Sequence, residues 1–538
     1  MEYQSPVKRP RPIDGRRRSI QTIIDGMTQV VTTKQRLEIL TRLFDAIGYD
    51  SQTRTPRVDS KTLSTCIDLG VIHSLCLQLG FVLRRHGSCR EEIIQICNAI
   101  ELFYRFCPEL VNSDETLRSR GSDLFFLLPE AFQKGAIRSV LSIWHCISSS
   151  AFGTAFLLQS PLVLLSVRDV MRKENSVEEA LLETLGLLKN ITYYGEDHRY
   201  RILDQPPGLL ATLSKLPLNH DSEKLRERVS AVFRNLALSR DARVVLAQRP
   251  EVLTALTSLS TSTSFTTTKN LLNTLLALAI DGDSCLLIVF HGDGIILEVL
   301  KKYINSNDLS IRKRAARALR LIIRETSAPL MVHDSQLMKI LSERALHDSS
   351  REVRSEAAQA FARCASLVKA PSSHHEAILD ALTYLASSPG TVPLDVMARV
   401  IKEQARLGPE NRKAMVERQT LMDAVGRIAI STESSTSAKE NICSALLVLS
   451  DDKNNKRIIA TPLTLDALVQ NSSERGENNS KLRECAVKTL LNLADDSSNR
   501  KIMANHTNLL PSLFAAATQL SDLKTQVKAA ILLLAVEL

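Results

Sequence analysis

Few residues in this chain have the types and spacing for chemistry. His374-His375-Glu376 sets imidazoles beside a carboxylate, the donor types of a transition-metal site. No Cys or Asp cluster accompanies them, and the flanking Ser and Pro point to a solvated loop. Gly292-Asp293-Gly294 lacks the third glycine of a phosphate-cradling loop, and no P-loop, paired-histidine metalloprotease or nucleophile-elbow pattern occurs. The 10 cysteines form no C-x-x-C pair. Cys97, Cys107, Cys146, Cys364, Cys443 and Cys485 fall in apolar runs, where a thiol serves as a small buried hydrophobe. The expectation is a protein that is not an enzyme and uses no metal or cofactor.

What is left is charge. Lys313, Arg317, Arg320 and Arg324 step by four, three and four residues, which lines their cations along one helix face. Ile311, Ala315, Leu319 and Ile322 take another face, and Arg363 continues the series one repeat later. Guanidinium forks match carboxylate and phosphate, so the stripe reads as a seat for an acidic or phosphorylated peptide. The competing reading is an ordinary solvated face. A second basic group, Lys8, Arg9, Arg11, Arg16, Arg17 and Arg18, fits nuclear localisation or contact with an anionic surface, and Arg16-Arg-Arg-Ser19 fits a basophilic kinase site at Ser19. Of the net charge of +9, residues 1–20 carry +4, which leaves +5 for the other 518. A body so near neutrality argues against nucleic-acid binding over its whole surface.

The elements that must carry these residues are helices. At 538 residues the chain exceeds one ordinary hydrophobic core, so it is either several domains or an open-ended stack. Gly (19) and Pro (18) are too few for a turn-rich β protein, and leucine- and alanine-rich runs dominate. The apolar stretch Phe156–Val167 is too short to cross a bilayer and is broken by Gln159 and Pro161. The basic, Pro-containing start has no apolar signal core. These features predict an intracellular protein, cytoplasmic and/or nuclear, without membrane insertion.

Self-similarity gives the architecture. Ala445-Leu-Leu-Val-Leu-Ser-Asp-Asp-Lys-Asn-Asn-Lys-Arg-Ile-Ile aligns with Thr489-Leu-Leu-Asn-Leu-Ala-Asp-Asp-Ser-Ser-Asn-Arg-Lys-Ile-Met at a period of 44. The same register places anchors at Arg105, Cys146, Asn190, Asn235, Ala277, Arg320, Arg363, Gln404, Val448, Asn492 and Leu533, always 41 to 45 residues apart. Each unit ends an apolar helix near its anchor, and a basic or histidine residue opens the next helix eight positions on (His198, Arg243, Arg412, Lys456, Arg500). No unit can bury its apolar stripe alone, so neighbours must stack.

On Lys189-Asn190-Ile191-Thr192, Arg234-Asn235-Leu236-Ala237 and Leu491-Asn492-Leu493-Ala494 the chain resembles the armadillo repeat family. The stretches from Asp308-Leu-Ser-Ile-Arg and Ser349-Ser-Arg-Glu-Val-Arg look more like HEAT repeats. The resemblance covers roughly residues 90–538. It implies an all-α, right-handed solenoid of about ten repeats, binding a protein segment in a concave groove. By resemblance Asn190, Asn235 and Asn492 take the ladder position that hydrogen-bonds an extended peptide; the competing reading is that they satisfy local backbone. Nuclear-import adaptors of this family pair such asparagines with a tryptophan four residues earlier. Here Gly186, Ala231 and Lys488 stand there, and the only tryptophan, Trp144, is out of register.

The predicted organisation is a disordered basic tail (1–19), an N-terminal helical cap or divergent repeat (20–90) and the repeat solenoid (91–538). Polar loops are expected at Thr257–Thr268, Ser431–Ser437 and Asn471–Ser480, with Ser437 and Glu440 as a capping box. The terminal helix Ala529–Leu538 has no polar cap, which marks an apolar edge suited to self-capping or to another chain. The expected function is a non-enzymatic scaffold or adaptor. The alternatives are a nuclear-transport or nucleic-acid-associated factor using the tail, and a ubiquitin-ligase subunit, for which no U-box-like segment is visible.

Overall fold

A computed structural model describes residues 15–29, 32–47, 65–85, 89–107, 114–173, 176–324, 331, 334–367, 375–387, 394–474 and 479–537. Every regular element among them is a helix. Each anchor position lies within the last five residues of its own helix, from Arg105 in Arg90–Phe106 to Leu533 in Lys524–Ala535. The repeat register read from sequence is therefore the register of the fold.

The chain forms two compact units, Met1–Thr274 and Leu275–Leu538, divided inside the helix Phe265–Leu278. In the first unit the anchor helices Arg90–Phe106, Ile137–Ile147, Glu178–Tyr194 and Glu223–Leu236 pack one on the next. A second row, Pro161–Arg172, Leu209–Asn219 and Pro250–Leu259, does the same. In the second unit the anchor row is Leu309–Ile322, Arg351–Leu367, Leu394–Ala405, Thr436–Ser450, Ser480–Ala494 and Lys524–Ala535. Its companion row is Ser335–His347, His375–Ser387, Gln419–Ile430, Pro462–Ser472 and Leu509–Gln519. Buried residues such as Leu185, Leu188, Val232 and Phe233 form the core of the first unit, and Leu319, Leu341, Phe361, Leu382, Val425 and Leu446 that of the second. Stacking of this kind buries a continuous apolar stripe that no single repeat could cover.

The best-matched pair of repeats shows how sequence dictates the stack. In each Asp-Asp pair the second residue caps the following helix: Asp452 accepts from the Asn454 amide and Asp496 from the Ser498 amide. The first residue faces the neighbouring repeat. Asp451 accepts from Asn492 at 3.1 Å, and Asp495 accepts from Lys456 at 2.9 Å. Asn499 then donates to the Lys456 carbonyl at 3.1 Å. The motif recurs because each copy binds the next.

Several boundaries differ from expectation. A helix, Gly15–Gln29, begins inside the segment expected to be a disordered tail, because Ile20, Ile24 and Met27 form a buried stripe at helical spacing. The loop expected at Thr257–Thr268 is shorter, since helix runs to Leu259 and resumes at Phe265. The helix Thr436–Ser450 is capped by Ser435, whose Oγ accepts from the Ala438 amide at 3.1 Å, rather than by Ser437. Asp50–Lys61, expected as a loop, lies outside the described residues. The Gly292-Asp293-Gly294 turn is structural: all three residues have positive φ (54°, 56° and 89°), a conformation that requires glycine on either side of Asp293 to turn the chain between two helices. At the C-terminus Val527, Ala530 and Leu534 pack inward, while Leu532 and Val536 are 69% and 84% exposed.

Candidate functional site

The ladder positions tie repeat to repeat. Asn190 donates through Nδ2 to Ser148 Oγ (3.0 Å) and the His145 carbonyl (3.4 Å). Asn235 donates to the Lys189 carbonyl (3.0 Å) and Thr192 Oγ1 (3.3 Å), and its Oδ1 accepts from Arg234. Asn492 donates to Ser450 Oγ and to Asp451. Other residue types at or near the position do the same work: Gln404 donates to the Ala365 carbonyl at 2.8 Å and Arg363 to the Arg320 carbonyl at 2.7 Å. The partners lie towards the C-terminal end of the preceding anchor helix: hydroxyls, the Asp451 carboxylate and carbonyls, of which those of His145, Arg320 and Ala365 are among the last four that a helix leaves unsatisfied. Asn235 has no exposed surface, so the expectation that it reads a bound peptide is corrected: it is sealed within the stack.

The arginine stripe divides between ties and open charge. Lys313 pairs with Glu352 at 2.5 Å and Arg320 with Glu356, both on the next anchor helix. Arg324 turns back onto the carbonyls of Leu321 (3.2 Å), Ala279 (3.4 Å) and Ile280 (2.8 Å). Arg317 is exposed and has no carboxylate partner among the described residues. The stripe is thus neither a bare solvated face nor wholly available. Sequence reasoning missed Arg399, which stands exposed on the following anchor helix. Burial, then the guanidiniums of Arg320, Arg324 and Arg399, push Arg363 below the usual arginine range, against the single opposing influence of Glu356. A signal for Arg399 was present: Arg399, Lys402 and Arg406 step by three and four, as the first stripe does.

Elsewhere the candidates separate. Arg17, Arg18 and Ser19 are exposed on the Gly15–Gln29 helix, to which Arg16 also belongs; Lys8, Arg9 and Arg11 lie outside the described residues. Glu376 pairs with Arg418, and among the described residues no group of three or more His, Cys, Asp or Glu side chains could hold a metal ion. His374 lies outside them. Burial pushes the Cys364 and Cys443 thiols up to about 12, which keeps them protonated and inert. Trp144 is buried and stacks on Phe132, with ring centroids 5.7 Å apart. Among the described residues no single helix is long and apolar enough to cross a membrane.

No family model matches the chain, and neither does any curated protein. Solved structures do. One comes from work on a conserved phosphorylation switch controlling the interaction between cadherin and beta-catenin: at 12% identity it covers 89% of this chain and 94% of its own, with a TM-score of 0.58. The fold is an armadillo-like repeat solenoid. A second similar structure, of an engineered protein, has 18% identity, 88% and 98% coverage and a TM-score of 0.51. A third, of computationally designed armadillo repeat proteins for modular peptide recognition, has 18% identity over 44% of this chain and 99% of its own, with a TM-score of 0.38. At these identities the likeness concerns the armadillo-like fold, and function has to be argued from the side chains.

Proposed function

We propose that this chain is a non-enzymatic protein-interaction scaffold whose second unit holds an extended acidic or phosphorylated segment of a partner on its anchor-helix face. The observation that carries the reading is the placement of Arg317, Arg320, Arg363 and Arg399 on three successive anchor helices, Arg363 bonded to the Arg320 carbonyl, with Arg317 and Arg399 exposed and left without a carboxylate partner among the described residues. Like charges crowded on adjacent helices destabilise the free protein, and an incoming carboxylate or phosphate relieves that repulsion while accepting charge-assisted hydrogen bonds. Glu352 and Glu356 orient the stripe by holding Lys313 and Arg320. One structure of similar fold belongs to a phosphorylation-controlled interaction between cadherin and beta-catenin, in which one protein engages another.

Fluorescence anisotropy with a labelled glutamate-rich peptide and its lysine-rich counterpart tests this. The acidic peptide should bind, its affinity should fall with added salt, and Arg317→Gln with Arg399→Gln should weaken it by about tenfold or more. Equal binding of both peptides, or no effect of the double substitution, would end the proposal. The tail supports a second reading, nuclear localisation, because Arg17 and Arg18 stand exposed at the start of their helix. A fluorescent fusion lacking residues 1–18 that distributes like the full chain would remove it.

A further inference from the structure

The first unit carries a second cation cluster, unconnected with the arginine stripe. Arg228 and Arg234 each lie three residues from Ala231 on the helix Glu223–Leu236, so a small side chain floors the space between them. Arg234 is fixed in place: its Nε and Nη2 donate to Asn235 Oδ1 at 3.2 and 2.8 Å, and its Nη1 donates to Asn270 Oδ1 at 3.2 Å. Asn270 is held in turn by a 3.1 Å bond to Ser230 Oγ. Lys189 comes from the adjoining anchor helix, and its carbonyl receives the Asn235 amide. Burial, then Arg228 and Arg234, lower the Lys189 ammonium, with Glu227 opposing. Glu183, a carboxylate that Arg228 also influences, already gives one oxygen to Arg105 (3.1 Å) and the other to His145 (2.6 Å).

Each helix adds an apolar neighbour. Four residues past Lys189 on the same helix, Tyr193 is 59% exposed; Leu238, in the turn that follows the helix Glu223–Leu236, is 57% exposed. Lys189 and Tyr193, four apart in the helix Glu178–Tyr194, share a helix face, and one turn separates them by about 5.4 Å. An extended chain covers that distance in about two residues. We infer that Lys189, Arg228 and Arg234, with Tyr193 and Leu238, form a second binding site in residues 1–274, for a protein segment carrying a phosphate or carboxylate with an apolar residue two positions away. The fixed Arg234 guanidinium beside exposed apolar surface favours such a segment over nucleic acid, which would need a longer basic track. This site goes beyond the function proposed above and needs none of its residues.

The test uses the full chain carrying Arg317→Gln and Arg399→Gln, so that the face in residues 275–538 is disabled. Anisotropy is measured with labelled synthetic peptides containing phosphoserine, glutamate or serine two positions from leucine, and with an oligothymidylate of similar length. The phosphoserine peptide should bind best, the glutamate peptide next and the serine peptide least. Adding Lys189→Gln and Arg228→Gln should weaken the phosphoserine peptide by about tenfold or more. Tyr193→Ser with Leu238→Ser should weaken the leucine peptide but not its alanine counterpart, with the Trp144 fluorescence melt unchanged as a folding control. Unchanged affinity after Lys189→Gln and Arg228→Gln, or tighter binding of the oligonucleotide, overturns the inference. Binding that vanishes in the Arg317→Gln/Arg399→Gln background also overturns it, while leaving the function proposed for residues 275–538 standing.

Discussion

Replacing Asn235 by alanine should destabilise the first unit by about 2–3 kcal/mol, since it removes two bonds to the preceding repeat worth about 1 kcal/mol each and takes away the oxygen that accepts from the Arg234 guanidinium. The geometry sets the size. The donor bonds measure 3.0 and 3.3 Å, and the side chain has no exposed surface. Asn190 is half-buried and its second bond is longer, 3.4 Å, so Asn190→Ala should cost about 1 kcal/mol. Asn492 bonds to Ser450 Oγ and to the exposed Asp451, where water substitutes readily, so Asn492→Ala should cost about 0.5 kcal/mol or less. Trp144, buried against Phe132, is a built-in probe for the first two: urea unfolding followed by its fluorescence gives the midpoint, and an unchanged slope confirms that stability alone has moved. Circular dichroism serves for Asn492. An Asn235→Ala protein as stable as the parent, or one that loses peptide affinity while keeping its stability, would refute the reading of the ladder as an inter-repeat tie.

Three further outcomes follow from the same structure. Asp348 is buried and accepts from Arg312 Nε at 2.8 Å and from the Ser350 amide at 2.9 Å, so Asp348→Ala should cost about 3–5 kcal/mol in thermal or urea unfolding by stranding the buried Arg312; a loss below about 1 kcal/mol would contradict this. The Glu183 carboxyl lies below its ordinary range, because although burial alone would raise it, His145, Arg105 and Arg228 outweigh burial. Its folded value is thus below its unfolded one, so its contribution is complete above the usual carboxylate range and lost as pH falls through and below that range. The Trp144 unfolding midpoint should therefore fall more steeply with acid in the parent than in Glu183→Gln, and parallel pH profiles would count against it. Among the ten cysteines Cys89 is exposed, Cys146 and Cys485 are half-buried and seven are buried, so a maleimide should label Cys89 fastest and the seven buried thiols only on unfolding, as mass spectrometry of the labelled peptides would show; fast labelling of Cys97 or Cys443 would contradict the buried assignment.

The fold was legible because its information is periodic. Apolar spacing recurs every 41 to 45 residues, the Asp-Asp motif repeats once at 44, and stacking similar units needs little else. The site was only partly legible, since an asparagine at a ladder position looks the same whether it meets a ligand or the preceding helix. Asn235 had one clue, the adjacent Arg234, which occupies its carbonyl oxygen. Arg399 was readable from its spacing to Lys402 and Arg406, but its repeat has Gln404 rather than arginine at the anchor, which drew attention away from it. Lys189, Arg228 and Arg234 come together only through packing between two helices, which no spacing within one helix reveals. The cap at Ser435 could not be told from Ser437 within Ser434-Ser-Thr-Ser437, where several residues offer the same hydroxyl. The early helix start at Gly15 was readable in principle from Ile20, Ile24 and Met27, but the basic run preceding them suggested a solvated tail.

Hydrogen exchange on the full chain, with and without a saturating glutamate-rich or phosphorylated peptide, tests the central claim most directly. Binding at the arginine face predicts slowed exchange in Leu309–Ile322, Arg351–Leu367 and Leu394–Ala405, and no such protection in the Arg317→Gln/Arg399→Gln protein. Protection confined to other helices of the second unit, or the same protection in the substituted protein, would contradict it.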